Sequence, residues 1–304
     1  MAFEIPEYYE GFSRDVKIKF RSLVLNRIID SIDLSNFDAW WINFTTDEER
    51  YFAAQLLSAA IIRTQQMHKS SYRQIVEVIL PDLLRKVDAW QFRCLEDFES
   101  SLSNRTLPAS VRFMPVDGAK IDKRPGNSGD TVIRSFGLSA GTHDDYLLRA
   151  DENDSWTNLP RLLVFIDDLL GTGTQFSNFA NAYRIEQIPD QTLCVYVPLL
   201  ATTQGMQSIT EKFPRVEIRP VEILTRSAGF FSGLDEQPEV WARDRKNTVE
   251  EVKRFYRDMM TKREIGPESH YTLELSVLLN ERSPNNSLKA YWTTQGRWHP
   301  LLPR

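Results

Sequence analysis

A short apolar run that ends on two aspartates and a glycine–threonine loop is the feature that most constrains this fold. Residues 161–176 read Arg-Leu-Leu-Val-Phe-Ile-Asp-Asp-Leu-Leu-Gly-Thr-Gly-Thr-Gln-Phe. The unbroken apolar run at 162–166 is typical of a strand that is covered on both faces of a parallel sheet. Asp167 and Asp168 follow it, at the edge where open α/β sheets bind their ligands. The segment therefore predicts an α/β fold with a site at these aspartates.

The loop after the aspartates has the chemistry of an anion site. Gly171 and Gly173 allow a tight turn with close approach of backbone amides, and Thr172 and Thr174 add hydroxyls. Residues 175–184 are expected to continue as a helix whose N-terminus faces the loop. Amides, hydroxyls and a helix N-terminus together suit a phosphate, whereas the carboxylates suit sugar hydroxyls or a metal ion.

The two aspartates need not share one role. Neighbouring residues of a strand point to opposite faces, so one carboxylate is free to face a ligand while the other orients the loop.

Two other nucleotide-binding loops fit this sequence less well. A P-loop needs a lysine and then Ser or Thr after its glycines, whereas Gly173 is followed by Thr174 and Gln175. A dinucleotide fingerprint needs an acidic residue about 20 positions after its loop. Asp190 is near that distance, but it lies in a Pro-Asp-Gln turn. A ribose or phosphate site is therefore the favoured interpretation.

The rest of the chain divides into a helical region and an α/β region. Residues 1–107 show helical apolar spacing, with one helix starting at Thr46, and contain no catalytic constellation. Residues 108–304 alternate strands and helices, which is typical of a mostly parallel sheet flanked by helices. Its expected strands lie at 111–117, 162–166, 192–200, 216–224, 271–279 and 288–292. We therefore predict an α/β domain at 108–304 behind a helical region at 1–107.

A basic loop precedes the helix expected near residue 131. Its candidate anion-binding residues are Gly118, Lys120, Lys123, Arg124 and Ser128. One interpretation is a solvated loop, and the other is a second loop that holds a pyrophosphate. If the strands at 111 and 162 are neighbours, this loop and the aspartate loop face each other.

Composition bounds the remaining functions. The formal net charge of -5 argues against a general nucleic-acid binder. Two cysteines do not make a disulfide framework and suit a reducing compartment. Neither a signal peptide nor a run approaching the ~20 apolar residues of a membrane span is visible, so we expect a cytoplasmic protein without a membrane segment.

Two smaller features concern metals and the C-terminal turn. The four histidines lie far apart, so we expect no metal site built from the protein alone. Asn285 and Asn286 stand in a Pro-Asn-Asn-Ser turn, where their amides either form the turn or reach a ligand at the sheet edge.

The central motif resembles the ribose-phosphate signature of the type I phosphoribosyltransferases. That signature is an apolar strand, two acidic residues, two mostly apolar residues and a threonine- and glycine-rich loop. Residues 164–175 match most of it and depart at Gly171 and Gln175, where hydroxyl-bearing residues are usual. The resemblance implies a phosphoribosyltransferase-like fold and a phosphoribosyl pyrophosphate or nucleotide ligand, with Mg²⁺ bound by the pyrophosphate.

The resemblance also implies roles for individual residues. Asp167 and Asp168 would hold the ribose hydroxyls and act as the catalytic residues. The 5′-phosphate would be held by the loop residues Gly171, Thr172, Gly173, Thr174 and Gln175.

The whole chain is similar to a divergent branch of these proteins that occurs in bacterial conflict and anti-phage loci. The shared features are the helical N-terminal region, the Asp-Asp-Leu-Leu-Gly-Thr-Gly-Thr-Gln motif and the ending, in which Pro-Asn-Asn-Ser is followed by Trp-His-Pro-Leu-Leu-Pro-Arg. This similarity implies a defence effector, sometimes beside an ATPase or reverse transcriptase partner. An alternative is a catalytically inactive nucleotide-sensing module that docks a partner through its N-terminal helices. A third is an interaction protein whose N-terminal helices dock a partner or form a homo-oligomer.

Overall fold

The structure, a computed structural model, describes residues 3–107, 111–116, 128–148, 159–225, 228–232, 241, 244–268, 272–280 and 282–304. The chain forms two compact units. The first comprises Met1–Gln65 and Thr225–Arg304, and the second comprises Gln66–Leu224.

Helices dominate the described residues, and none of those helices is long and apolar enough to cross a membrane. The α-helices are α1 (Tyr9–Leu25), α2 (Leu34–Ile42), α3 (Asp47–Ala59), α4 (Gln65–Gln74), α5 (Leu80–Lys86), α6 (Leu95–Ser103), α7 (Ser128–Ala140), α8 (Thr174–Ala182), α9 (Thr203–Lys212), α10 (Val249–Lys262) and α11 (Lys289–Trp292). The strands are β1 (Ile61–Ile62), β2 (Val111–Pro115), β3 (Leu162–Leu170), β4 (Leu193–Thr202), β5 (Val216–Ile218), β6 (Glu222–Leu224) and β7 (Val277–Leu278). A π-helical turn at Ile75–Ile79 joins α4 to α5.

The two units do not coincide with the predicted division into 1–107 and 108–304. Phe98 and Leu102 of α6 share a buried cluster with Phe113 of β2, and residues of α4 and α5 belong to the same cluster, so these three helices pack onto the sheet that follows them. In the other unit Phe52 packs edge-on against Phe230, with ring centroids 5.3 Å apart. Apolar periodicity shows which face of a helix is buried, but it does not show which distant segment covers that face.

The second unit is built on a five-stranded parallel sheet. The strand order is β2-β3-β4-β5, and β6 also pairs with β4. The single strand predicted at 216–224 is therefore two short strands. Pro220 lies between them and has no N–H group to donate to a ladder.

Helices cover both faces of this sheet. On one face the ring of Phe165 in β3 lies 5.5 Å from that of Phe179 in α8. On the other face the ring of Phe113 in β2 lies 5.0 Å from that of Phe136 in α7. The apolar run of β3 alternates between these two cores, which explains why it contains no polar residue before Asp167. The predicted mostly parallel sheet flanked by helices is confirmed.

The first unit is helical around an aromatic core. Helix α3 begins with a capping box in which Thr46 accepts from the Glu49 N–H and the Glu49 carboxylate accepts from the Thr46 N–H, as expected for a helix starting there. The largest fully buried side chains of the first unit include Trp40, Tyr51, Phe52, Trp241 and Tyr291. Strands β1 and β7 form a two-stranded parallel sheet.

The strands predicted near the C-terminus differ from the structure. Residues 289–292 form the short helix α11, with Leu288 as its N-cap, and among the described residues 272–279 only β7 is a strand. The carbonyl oxygen of Ala290 accepts hydrogen bonds from the indole N–H groups of Trp40 at 2.7 Å and Trp298 at 3.1 Å. Distant packing therefore fixes one helical turn in a short apolar run whose periodicity alone does not separate helix from strand.

Candidate functional site

The two aspartates lie inside β3, close to its carboxyl end. Pro115, the last residue of β2, pairs with Ile166, and the Val116 N–H donates to the Ile166 carbonyl at 3.2 Å. Strand β3 continues past this point to Leu170, paired only with β4 among the described strands. The strand is thus longer than the predicted run 162–166, and the aspartates stand at the expected edge of the sheet.

Asp167 is a buried acceptor whose two oxygens are both used within the fold. It is 1% exposed. Its Oδ2 accepts from the hydroxyl of Tyr196 in β4 at 2.8 Å, and its Oδ1 accepts from the Asp168 N–H at 2.9 Å. Burial, and then the neighbouring Asp167 charge, holds the pKa of Tyr196 well above its ordinary value, so that hydroxyl keeps its proton and donates.

This arrangement also fixes the start of α8. The ring of Tyr196 stacks on that of Phe176 in the first turn of α8, with centroids 4.2 Å apart and planes 18° apart. Asp167 therefore connects β3, β4 and the helix that follows the loop. Its position is that of a residue that orients the loop.

Asp168 lies on the opposite face of β3 and is 7% exposed. That face also carries Val164 and Ile166, which belong to the buried cluster under α7. The two carboxylates thus lie in different surroundings, as the alternation of strand residues predicts.

The loop turns through Gly173, which takes a left-handed conformation with φ +83°. A side-chain carbon at position 173 would lie 3.0 Å from Ile209 Cδ1, so both conformation and space favour glycine there. Gly173 is the N-cap residue of α8. The hydroxyl oxygens of Thr172 and Thr174 lie 3.0 Å apart, and the Thr174 N–H points to the Thr172 hydroxyl at 3.4 Å.

A second contact, from the start of α9, holds the loop from the β4 side. The Thr202 hydroxyl donates to the Gly171 carbonyl at 2.6 Å and accepts from the Gly205 N–H at 2.9 Å. A side-chain carbon on Gly205 would lie 2.2 Å from the Gly171 oxygen, so the backbones approach as closely as glycine permits. Sequence analysis missed Tyr196, Thr202 and Gly205. A threonine between a strand and a helix is an N-cap signal that points to one of them.

Gln175 joins the loop to β2. Its side-chain Nε2 donates to the Val116 carbonyl at 3.3 Å. A side-chain carbon on Gly129, in the first turn of α7, would lie 3.0 Å from the same oxygen. The starts of α7 and α8 therefore both meet the end of β2. The strands at 111 and 162 are neighbours, which is the condition for the basic loop and the aspartate loop to face each other.

The structure does not test the predicted role of the basic loop. Gly118, Lys120, Lys123 and Arg124 lie outside the described residues. Ser128 begins α7, and its side chain is likewise outside the description. Their role as a pyrophosphate loop stays a prediction.

Comparison with known families adds to this geometry. The family model PRTase-CE, of a phosphoribosyltransferase type, matches residues 37–304. The chain belongs to the PRTase-CE family. The expected phosphoribosyltransferase resemblance is thereby confirmed, and the PRTase-CE match spans the aspartates and the glycine–threonine loop.

Two further comparisons add little. No curated protein matches the chain. A solved structure titled "Structure of AQ2163 protein from Aquifex aeolicus" is similar over 54% of this chain and 88% of its own, at 13% sequence identity and a TM-score of 0.26. A likeness at that TM-score carries no argument about this PRTase-CE chain.

The described residues of this PRTase-CE protein offer two carboxylates, not a metal cage. Within the described ranges no group of three or more His, Cys, Asp or Glu side chains is placed to hold a metal ion. Magnesium is commonly bound through one or two carboxylates together with substrate phosphates, while it keeps several waters. Asp168 fits that mode as a single carboxylate beside a substrate phosphate, whereas both oxygens of Asp167 accept hydrogen bonds within the fold.

Asn285 and Asn286 belong to the first unit. The Ser287 N–H donates to the Pro284 carbonyl at 3.1 Å, which closes the turn expected from the sequence. The Asn286 carbonyl accepts from the N–H groups of Leu273 at 3.0 Å and Leu275 at 3.1 Å. These backbone bonds give Asn286 a structural role, and a ligand contact by either amide stays a prediction.

Proposed function

We propose that this PRTase-CE protein binds a ribose 5-phosphate group, carried by phosphoribosyl pyrophosphate or by a nucleotide, at the carboxyl edge of the sheet in its second unit. One observation carries the proposal. Two buried aspartates lead directly into a loop that Thr202 and Gly205 hold from one side and Gln175 from the other. A site held this firmly is suited to bind a ligand without reordering.

The two aspartates take different roles in this proposal. Asp168 contacts the ribose hydroxyls from the face of β3 opposite to Asp167. Asp167 accepts from the Tyr196 hydroxyl and from the Asp168 N–H. Asp167 is the positioning residue. The 5′-phosphate is bound by the hydroxyls of Thr172 and Thr174 and by the first amides of α8, where the helix dipole favours an anion.

The proposed chemistry is transfer or removal of the ribosyl phosphate. The bond between ribose C1 and its leaving group breaks, the leaving group takes the bonding electrons, and C1 gains positive charge until an acceptor or water binds it. The Asp168 carboxylate stabilises that charge from the ribose side, while the loop fixes the phosphate end. Mg²⁺, bound with the pyrophosphate, would neutralise charge on the leaving group, and Lys120, Lys123 and Arg124 would approach the same group.

Turnover tests this proposal. The protein is incubated with Mg²⁺ and phosphoribosyl pyrophosphate or a nucleotide pool, and released pyrophosphate or base is measured. We expect release by the wild type and by Asp144→Asn, an exposed aspartate of the same unit, and a loss of at least about a hundredfold in Asp168→Asn. Equal turnover by wild type and Asp168→Asn would show that the activity lies elsewhere.

A second function is favoured by the contact that Gln175 makes. Its amide donates to the Val116 carbonyl, where a hydroxyl-bearing residue in this position would be available to a phosphate. Fewer phosphate donors favour a nucleotide-sensing module that binds without turnover and docks a partner through its N-terminal helices. Saturable binding in the same experiment, with no release of pyrophosphate or base, supports the sensor over the enzyme.

The proposed setting is bacterial anti-phage defence in the cytoplasm. It rests on the resemblance of the motif and the chain ending to the branch found in conflict loci, and on Cys94 and Cys194, which are free thiols. Its proposed partner is an ATPase or a reverse transcriptase of the same locus. Phage should form fewer plaques on cells that carry the intact locus than on cells whose locus encodes Asp168→Asn. Equal plaque counts would remove the link between the site and defence.

A further inference from the structure

A second cleft lies at the other end of the sheet from the aspartates. It has a volume of about 340 Å³ and lies between the π-helical turn, α5 and the segment leading into α6. Arg161, just before β3, donates to the carbonyl of Asp88 at 3.3 Å, so this segment stands at the amino end of β3. Asp167 follows Arg161 by six residues along β3, about 20 Å at strand rise. The cleft is thus separate from the proposed ribose-phosphate site.

The wall of the cleft is a fixed aromatic surface. The ring of Trp90 lies 5.2 Å from that of Phe92 and 5.4 Å from that of Phe98. Phe98 is 1% exposed and belongs to the core of the second unit. Trp90 is half-buried and therefore presents part of a rigid indole to the cleft.

Two arginines give the cleft a positive charge. The Arg85 guanidinium stacks over the Trp90 ring at 4.5 Å from its centroid, and Arg93 lines the same space. Neither arginine has a carboxylate within salt-bridge distance among the described residues. The one acid of the lining, Glu77, is already paired with Arg73 at 2.6 Å. An anion that enters the cleft therefore meets two guanidinium groups that form no salt bridge with any described carboxylate.

The π-helical turn shapes the rim. It carries Glu77 and Val78 into the lining, and the apolar side chain of Val78 is 59% exposed. Single π turns are rare and occur frequently at functional sites. The rim thus adds an apolar contact beside the charged one.

We propose that this cleft binds a nucleoside monophosphate, with the base against the Arg85–Trp90 stack and Val78, and the phosphate on Arg93. Flat bases stack on arginine and aromatic planes, and arginine binds phosphate through paired N–H donors. The volume lies in the usual range for small-ligand sites, roughly 300–1,000 Å³. A site at the amino edge of the sheet would make the protein responsive to a nucleotide at a position other than the proposed ribose-phosphate site.

Another cavity lies at the carboxyl ends of two helices. It has a volume of about 430 Å³, lies in the first unit, and includes Ile42 and Lys262 at the carboxyl ends of α2 and α10. The helix dipole disfavours an anion at such ends. Lysine there serves the helix end itself.

Calorimetric titration of the full chain with AMP, GMP, adenosine and inorganic phosphate tests the proposal. We expect AMP or GMP to bind more tightly than adenosine or phosphate. Arg93→Gln should weaken nucleotide binding about tenfold or more. Arg85→Lys, which keeps the charge and loses the flat group, should weaken nucleotide but not phosphate binding.

Matched variants identify the site that is observed. Arg184→Gln, an exposed arginine close after α8, should leave this binding unchanged. Because the proposed ribose-phosphate site also takes a nucleotide, the titrations are repeated in the Asp168→Asn background, where Arg93→Gln and Arg85→Lys should still weaken AMP binding. Unfolding curves of each variant establish that it is folded. The proposal is overturned if the wild type binds no mononucleotide, if it binds only a single-stranded oligonucleotide, or if Arg93→Gln and Arg85→Lys bind AMP like the wild type.

Discussion

At the scale of single residues, Asp167 and Gly205 explain how the central loop keeps its shape. Asp167 is buried and accepts from two donors, and Gly205 allows two backbones to meet closer than any side chain permits. Neither residue needs to touch a ligand for the site to depend on it. Variants of their neighbours therefore test the architecture apart from the chemistry.

Tyr196→Phe removes the hydroxyl that donates to the buried Asp167 carboxylate. We expect a loss of about 1.5–3 kcal/mol in the free energy of unfolding, because the bond is made to a charged and buried group. The control is Tyr146→Phe in the same unit, whose hydroxyl donates to the neutral Leu107 carbonyl at 3.3 Å and should lose less. Urea unfolding measures both, and equal losses would contradict the role given to Asp167.

Gly205→Ala inserts a carbon into the contact between α9 and the loop. The new atom would lie 2.2 Å from the Gly171 carbonyl and 2.9 Å from Leu170 Cγ, so the backbone must move. We expect a loss of about 1–3 kcal/mol in unfolding free energy. Gly11→Ala in α1, where nothing lies within 4 Å, should instead gain about 0.5–1 kcal/mol. A neutral Gly205→Ala in thermal and urea unfolding would show that the loop is not held from this side.

At the scale of elements, the sequence predicts the centre of the fold better than its edges. The run at 162–166, the loop and the helix after it were predictable, because a buried strand, paired glycines and a helix start each leave a local pattern. The hydrogen bonds from Thr202 to Gly171 and from Gln175 to Val116 join segments far apart in the chain, and no local pattern encodes such pairs. The same reason explains α11, whose helical turn is fixed by the indoles of Trp40 and Trp298.

Glu49 gives α3 a testable dependence on pH. Burial opposes ionisation of its carboxyl, but the Arg263 guanidinium at 2.5 Å and the Thr45 N–H at 2.7 Å outweigh burial and lower the pKa of Glu49. A carboxyl whose pKa is lowered by folding stabilises the fold at every pH above its pKa in the unfolded chain, which is about 4.3. That contribution is lost as the pH falls through the lowered pKa of the folded state.

Glu49→Gln should therefore lower the free energy of unfolding by about 2 kcal/mol at pH 7. Between about pH 5 and pH 3 this variant should lose less stability than the wild type does. Glu48→Gln, one residue earlier on the same helix, serves as the control. Guanidinium unfolding at a series of pH values makes the comparison. If the free energy of unfolding falls equally steeply with acid in Glu49→Gln and in the wild type, the assigned direction of the Glu49 pKa shift is contradicted.

At the scale of the whole molecule, the chain leaves one compact unit and returns to it. The first unit contains both ends of the chain, and the second is the continuous segment Gln66–Leu224. Sequence patterns placed the division at residue 107 because helices give way to strands there. Packing places α4, α5 and α6 with the sheet instead, since their apolar faces are buried against β2 and β3.

The continuous segment should fold by itself. A fragment of residues 66–224 is expected to unfold cooperatively, whereas a fragment of residues 108–304 lacks the helices that cover its sheet and should not. Circular dichroism during thermal unfolding distinguishes the two. A cooperative transition in the 108–304 fragment alone would favour the division drawn from the sequence.

The central claim is that the aspartate pair and its loop bind a ribose 5-phosphate group. Calorimetric titration of the full chain with phosphoribosyl pyrophosphate and Mg²⁺ tests it most directly, since that ligand has no base to occupy the second cleft. The account predicts saturable binding by the wild type and by Asp144→Asn, and binding at least about tenfold weaker in Asp168→Asn. Equal affinity in Asp168→Asn and wild type, or no binding by a folded wild-type protein, would contradict it.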